Sequence, residues 1–209
     1  MALEQSIVLA PRSSRYSRDE FQRHYEEFHA PLFHSFAEVA VRRYARNHVI
    51  RALGEDPPFD TISEFGILSE RRAEMTAALR SPAAKRLEED VQTMLAERGN
   101  SFAVTEQLVA GTPRPFEPGP VRKLAVLFRQ GAAGPHFEHL ARTYAESLAR
   151  EHAPTRVTLT LWQRQPRPPV DGMVMLWTDA DLAGLAAPRS VPLAWQLELA
   201  SYATVWENA

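Results

Sequence analysis

Residues 28–31 read Phe-His-Ala-Pro and residues 151–154 read Glu-His-Ala-Pro, each closing an amphipathic helical run. Two more pairs come in the same order: Phe59-Asp60 with Val170-Asp171, and Ser101-Phe102-Ala103 with Ser201-Tyr202-Ala203. The offsets between the copies fall from 123 to 111 to 100. That is the pattern of a duplicated unit whose second copy has lost residues in its middle loop and second helix.

The elements around the first Phe-His-Ala-Pro fix the unit. A strand is predicted over 4–10. Ser17-Arg-Asp-Glu20 is a capping box, in which the serine hydroxyl and the glutamate carboxylate satisfy each other's backbone N–H, so a helix starts there. Phe21, Tyr25, Phe28, Leu32 and Phe36 share one helical face, and Pro31 predicts an end or kink near residue 30. Strands are predicted over 39–50 and 59–68. A second helix over 70–98 is capped by Ser69 and broken at Ser81-Pro82. Its apolar face is Leu79, Leu87, Val91 and Leu95, and Gly99-Asn100 stops it. A strand over 101–109 completes a βαββαβ unit.

Residues 111–120 hold four prolines and two glycines and read as a linker. The order then begins again, with a strand over 121–129, a helix over 135–151, strands over 155–163 and 170–178 split by a proline loop, a short helix at 180–187 and a strand over 198–206. The expected fold is α+β, two tandem ferredoxin-like units over 1–110 and 121–209. A sheet covered by helices on one face leaves the other face bare, and two such sheets bury those faces together. The expectation is therefore an intramolecular dimeric α/β-barrel.

Composition narrows the function. The chain has 209 residues, 44% of them hydrophobic, and a formal net charge of −2. Nothing there draws it to nucleic acid or an anionic membrane. With no cysteine, disulfides, thiolate metal sites and cysteine nucleophiles are excluded. No apolar run is long enough to span a bilayer and no signal peptide is legible, so a cytoplasmic location is expected. The Gly-x-Gly-x-x-Gly, P-loop and Gly-x-Ser-x-Gly patterns are absent. His136 and His139 have metal-ligand spacing, but Glu138 and Arg142 beside them suit a solvated face; neither a metal nor a cofactor is expected.

Chemistry then rests on histidines. His24, His29, His34 and His48 cluster in the first helix and second strand. On a helical wheel His29 lies near the sheet side, His24 flanks the other edge and His34 points outward. His29 could move protons, since imidazole titrates near neutrality; a helix-terminal histidine satisfying a free carbonyl is the competing reading. Tyr44 and His48 share one strand face, a polar spot of the kind that orients a small ligand. Asp60 could orient a histidine, or could be turn chemistry. Glu64 and Glu106 on their strands would need partners if they face a closed barrel.

Residues 5–110 resemble an EthD-type domain of the dimeric α/β-barrel superfamily. The resemblance is carried by Ser17-Arg-Asp-Glu-Phe21, Tyr25-Glu-Glu-Phe-His-Ala-Pro31, Arg43-Tyr44-Ala-Arg-Asn-His48-Val49, Phe59-Asp60 and Phe102-Ala-Val-Thr-Glu106. The second half is similar only in outline; it keeps His152-Ala-Pro154 and Asp171 but has Leu161-Trp162-Gln163 near the place of Asn47-His48, so its site is expected to be lost. The resemblance implies a cofactor-independent enzyme acting on a small apolar, aromatic or polyketide-like metabolite. Its reaction would be decarboxylation, dehydration or cyclisation, or a cofactor-free monooxygenation. His29 and His48 are the functional positions that the resemblance carries over, with Tyr44 and Asp60 beside them. Two alternatives stand next to it: a non-catalytic binding or stress-response barrel, and heme binding through a histidine. A homodimer of the fused chain is compatible with each.

Overall fold

A computed structural model of the protein describes residues 3–97, 99–111, 121–129, 136–163, 170–178 and 193–205. Ser17 opens helix α1 (Arg18–His24) with both halves of the capping box in place: its hydroxyl accepts from the Glu20 N–H, and the Glu20 carboxylate accepts from the Ser17 N–H at 2.8 Å. The helix does not end at Pro31. It widens into a π-turn (Tyr25–His29) and continues as α2 (Ala30–Ala37), with Pro31 in the first turn. Proline has no N–H to give and clashes with the carbonyl four residues back. The π-turn removes that conflict by shifting the register, so that the Ala30 N–H reaches the Tyr25 carbonyl five residues back. Pro31 then enters where a new helical segment tolerates it.

The second helical stretch breaks at Ser81-Pro82 as expected. A 3-10 turn (Ser69–Arg71) leads into α3 (Arg72–Ala78), and α4 (Pro82–Met94) restarts with the Ser81 hydroxyl accepting from the Ala84 N–H. Three details differ from the sequence reading. Ser69 is not the residue before the first helical turn, because the 3-10 turn starts on it rather than after it. Leu79 falls in the break and is 55% exposed instead of joining the apolar stripe. The helix ends at Met94, because Leu95 turns extended and bridges to Arg12 before Gly99 is reached.

The strands are β1 (Leu3–Ala10), β2 (Val41–Ala52), β3 (Thr61–Leu68), β4 (Asn100–Gly111), β5 (Val121–Arg129), β6 (Arg156–Trp162), β7 (Val170–Trp177) and β8 (Leu193–Val205). They form a closed barrel in the order β1-β3-β2-β8-β5-β7-β6-β4. The last strand begins at Leu193, earlier than the sequence pattern suggests. The linker beyond Gly111, residues 164–169 of the proline loop and the short helix at 180–187 lie outside the described residues. Among the described residues, no helix is long and apolar enough to cross a membrane.

The chain divides into two compact units. The first holds β1, β3 and most of β2 with α1 to α4. Its core between helices and sheet is built on Phe21, Tyr25, Phe36, Tyr44 and Met94. The second holds β5, β6 and β7 with α5 (Phe137–His152) and most of β4 and β8. There α5 covers Leu124, Val126, Phe128, Leu159 and Val174 through Ala141, Ala145 and Leu148. The repeated His-Ala-Pro does different work in the two units. In the first it lies within a continuing helix. In the second Ala153 adopts φ 43°, ψ 48° and terminates α5, a left-handed cap in a residue that is not glycine.

Candidate active site

The site lies within the first unit, between the leading helix and its sheet. Register puts Tyr44, Arg46 and His48 of β2 opposite Phe65, Ser63 and Thr61 of β3, so these six side chains share the face toward the helix. Asn47 points the other way, donating to the Ile62 carbonyl and to Glu64 Oε1 at 2.8 Å each, and Glu64 also pairs with Arg43 at 3.0 Å. The inward carboxylate on β3 thus has its partners.

Two imidazole–carboxylate arrangements flank the ring of Tyr25. In the first, the Asp90 carboxylate of α4 is shared by two histidines of the leading helix. His24 Nε2 lies 2.6 Å from Oδ1 and His29 Nδ1 lies 2.8 Å from Oδ2. Burial opposes the Asp90 charge, but the hydrogen bonds from His29 and His24 outweigh it and hold the carboxyl below the usual carboxylate range. An ionised Asp90 is acceptor-only, so in neutral His29 the proton sits on Nδ1. The lone pair is then on Nε2, and that nitrogen makes no hydrogen bond among the described residues. The His29 ring is therefore oriented through Nδ1.

In the second arrangement, Glu26 of the π-turn is clamped by Arg46 through Nε (2.9 Å) and Nη2 (2.9 Å) and lies 2.8 Å from His48 Nε2. His48 Nδ1 is 2.9 Å from Thr61 Oγ1. Burial pulls the His48 imidazole down despite Glu26, so the ring is neutral, donating from Nε2 and accepting at Nδ1. Both ring nitrogens are committed, and the residue is 1% exposed. Burial raises the Glu26 carboxyl, yet the bonds from His48 and Arg46 win and leave it below the ordinary range. This half is a closed, satisfied network.

Tyr25 joins the two halves, its ring 4.5 Å from His29 and 5.2 Å from His48, centroid to centroid. Its hydroxyl is 2.9 Å from Ser63 Oγ and accepts from the Tyr44 hydroxyl at 3.1 Å. Tyr44 shares a face with His48 as expected, but its hydroxyl is committed to Tyr25. Burial pushes both phenols up, so both are protonated at neutral pH.

Asp60 does not orient a histidine. It accepts from Arg18 Nε at 2.9 Å and from the Arg12 N–H at 3.2 Å, because the chain entering α1 passes over the start of β3. The orienting carboxylates are Asp90 and Glu26. Asp90 was legible in principle: it lies three residues after Leu87 and four before Met94, an acid on the buried stripe of α4 that must find a partner. Glu26 carried no such signal, since only the π-turn brings it inward.

His34 also departs from the wheel. The π-turn changes the phase of the helix, and the ring lies 5.9 Å from Tyr44, edge to face. Burial, reinforced by the Arg46 charge, pushes its pKa down to about 4 from 6.5. The unfolded chain takes up this proton near pH 6.5 and the folded protein only near 4, so each step down across that window favours unfolding. His34→Gln should flatten the fall in Tm between pH 6.5 and 4, read by thermal melts at half-unit steps. Parallel wild-type and variant curves would contradict the assignment.

In the second unit, the layer between α5 and its sheet is apolar. Tyr144 packs against it, and burial pushes its phenol up to about 12. No imidazole–carboxylate pair occurs in it among the described residues.

Residues 14–98 match the EthD domain model. Over that stretch the chain is similar to the EthD domain family. Every group of the two imidazole networks lies inside the matched segment. No curated protein sequence matches the chain. Solved structures match over its whole length. An anthrone oxidase-like protein superimposes with a TM-score of 0.62 at 8% identity, covering 99% of this chain and 94% of that one. A protein of Fusobacterium nucleatum subsp. nucleatum, provisionally named a monooxygenase, gives 0.57 at 10% identity, covering 100% and 99%. At such identities the likeness establishes the fold alone, which is of the dimeric α/β-barrel type.

Proposed function

We propose that the EthD-like segment houses an enzyme active site in which His29, held by Asp90, removes a proton from carbon in a small apolar aromatic metabolite. The observation that carries this reading is the asymmetry of the two histidines: His48 has both nitrogens engaged, whereas His29 is fixed at Nδ1 with Nε2 open. An imidazole oriented by a carboxylate is the general-base half of a catalytic triad. The Tyr25 ring, 4.5 Å from His29 centroid to centroid, suits contact with a flat ring system.

The anthrone oxidase-like relative in fold suggests a test compound. Anthrone is a carbon acid: loss of its C10 proton leaves an electron-rich aromatic phenolate. The phenolate reacts with dioxygen, and overall one anthrone and one dioxygen give one anthraquinone and one water, the dioxygen being the oxidant. A dehydratase or cyclase would use the same base and differ in the step after proton removal, whereas a decarboxylase would release carbon dioxide and take a proton onto carbon from the imidazolium; none of these reactions calls on a cofactor.

The experiment separates proton transfer from the oxygen step. Anthrone in deuterated buffer without oxygen should exchange its C10 hydrogens faster with protein than without, read by mass spectrometry. In air, anthraquinone should form faster as well. Exchange and oxidation both at the buffer rate would overturn the reading for this class of carbon acid.

A further inference from the structure

Asp90 has two oxygens and two imidazoles, and proton abstraction by His29 uses only one of each. His24 takes the other. Its Nε2 reaches Oδ1 at 2.6 Å, closer than His29 comes to Oδ2. The His24 ring is packed between Tyr16 at 5.4 Å and Phe28 at 5.3 Å, so it has little freedom to leave the carboxylate. Its side chain is 26% exposed, whereas those of Asp90 and His29 are 4% and 9% exposed. The three groups form a row from solvent to the buried base.

We infer that His24 is a positioning residue: it keeps the buried Asp90 ionised and unable to rotate, and so keeps His29 in the Nδ1–H form with Nε2 ready to accept a proton. This rests on the proposed role of His29 and adds what holds that role in place. The reason is electrostatic. A buried carboxyl prefers to be neutral, and hydrogen bonds to its charged form reverse that preference. With His29 as the only donor, the carboxyl would have one such bond, and a protonated Asp90 could present its O–H to the histidine. His29 Nδ1 would then be an acceptor, the proton would move to Nε2, and the base would be lost.

The groups facing Asp90 are His24 from α1 and His29 from the π-turn. His34 is the titratable residue on α2, and Arg86 lies one turn back on α4 itself. Of these, His24 and His29 are the ones bonded to the carboxylate.

The test compares His24→Phe, which preserves a ring between Tyr16 and Phe28 but gives no hydrogen bond, with His24→Gln, which restores a donor. The carboxyl carbon of Asp90 is followed by NMR against pH, and the His29 tautomer by its ring nitrogen shifts. In His24→Phe the carboxyl titration should move to higher pH by about one unit, and the nitrogen shifts should show Nε2–H appearing. His24→Gln should return both toward wild type. On anthrone exchange, His24→Phe should lower kcat about tenfold with KM unchanged. A carboxyl titration that stays in place in His24→Phe overturns the inference even if wild type is active. If wild type fails to exchange anthrone while the titration still moves, the proposed chemistry falls for that substrate and the role of His24 in holding Asp90 and His29 stands.

Discussion

His29→Ala should lower anthrone C10 exchange and anthraquinone formation by about 10²- to 10⁴-fold, the usual contribution of a positioned general base. The residue is 7% exposed and its ring is in contact with Tyr25, so the alanine variant also loses packing. His29→Gln addresses that. Its side-chain amide can still donate to Asp90 and fills much of the space, yet it has no titratable nitrogen where Nε2 stands. Both variants should keep the wild-type circular dichroism spectrum, and both should be slow. Added imidazole should restore part of the rate in His29→Ala, because the vacated space adjoins Asp90, which can orient the small base. His48→Gln is the informative contrast. Its nitrogens face Glu26 and Thr61, so its loss should show in the melting curve and far less in the rate. Full activity in His29→Gln together with a dead but folded His48→Gln would reverse the assignment.

The sequence carried the architecture because the architecture depends on local signals. Ser17 with Glu20, the break at Ser81-Pro82 and the alternation in the strands each act over a few residues, and each appears where the pattern puts it. The site was less legible, because it depends on one irregular turn. Proline at 31 was visible, and two outcomes are open to a helix that meets one: it stops, or it absorbs the residue in a wider turn. The chain takes the second, and the consequences come together. Glu26 swings onto the sheet, His34 moves in against Tyr44, and the helix runs on to Ala37. The same tripeptide at 152–154 ends its helix instead, so His-Ala-Pro does not dictate the outcome by itself. Asp60 illustrates a different limit. A carboxylate at the start of a strand pairs with whatever cation the fold brings over it, and here two arginines arrive rather than an imidazole.

The largest stability effect should come from Glu26. Arg46 and His48 are buried against it, with 6% and 2% of their side chains exposed. Glu26→Ala leaves a guanidinium in the helix–sheet layer without its bidentate partner and an imidazole N–H without its acceptor. Breaking a buried pair from one side costs about 3–5 kcal/mol, because the remaining charge keeps its desolvation penalty and loses its compensation. For a chain of this size that corresponds to a drop in Tm of roughly 6–20 °C. Glu26→Gln should cost less, since its carbonyl oxygen can still accept from His48 or Arg46. The acid side depends on the sign of the shift. The Glu26 carboxyl is lower in the folded protein than in the unfolded chain, so its contribution is complete above the ordinary carboxylate pKa and is lost as pH falls through the folded value. Wild type should therefore lose Tm in acid faster than Glu26→Gln does. Removing the charge at both ends tests whether the penalty is electrostatic. Glu26→Leu combined with Arg46→Leu should recover much of what Glu26→Ala loses, because an apolar pair of similar bulk has no stranded charge. If Glu26→Ala melts within about 2 °C of wild type, well under the expected drop, the network is not what ties the π-turn to the sheet, and the position of His29 on that turn would need another support.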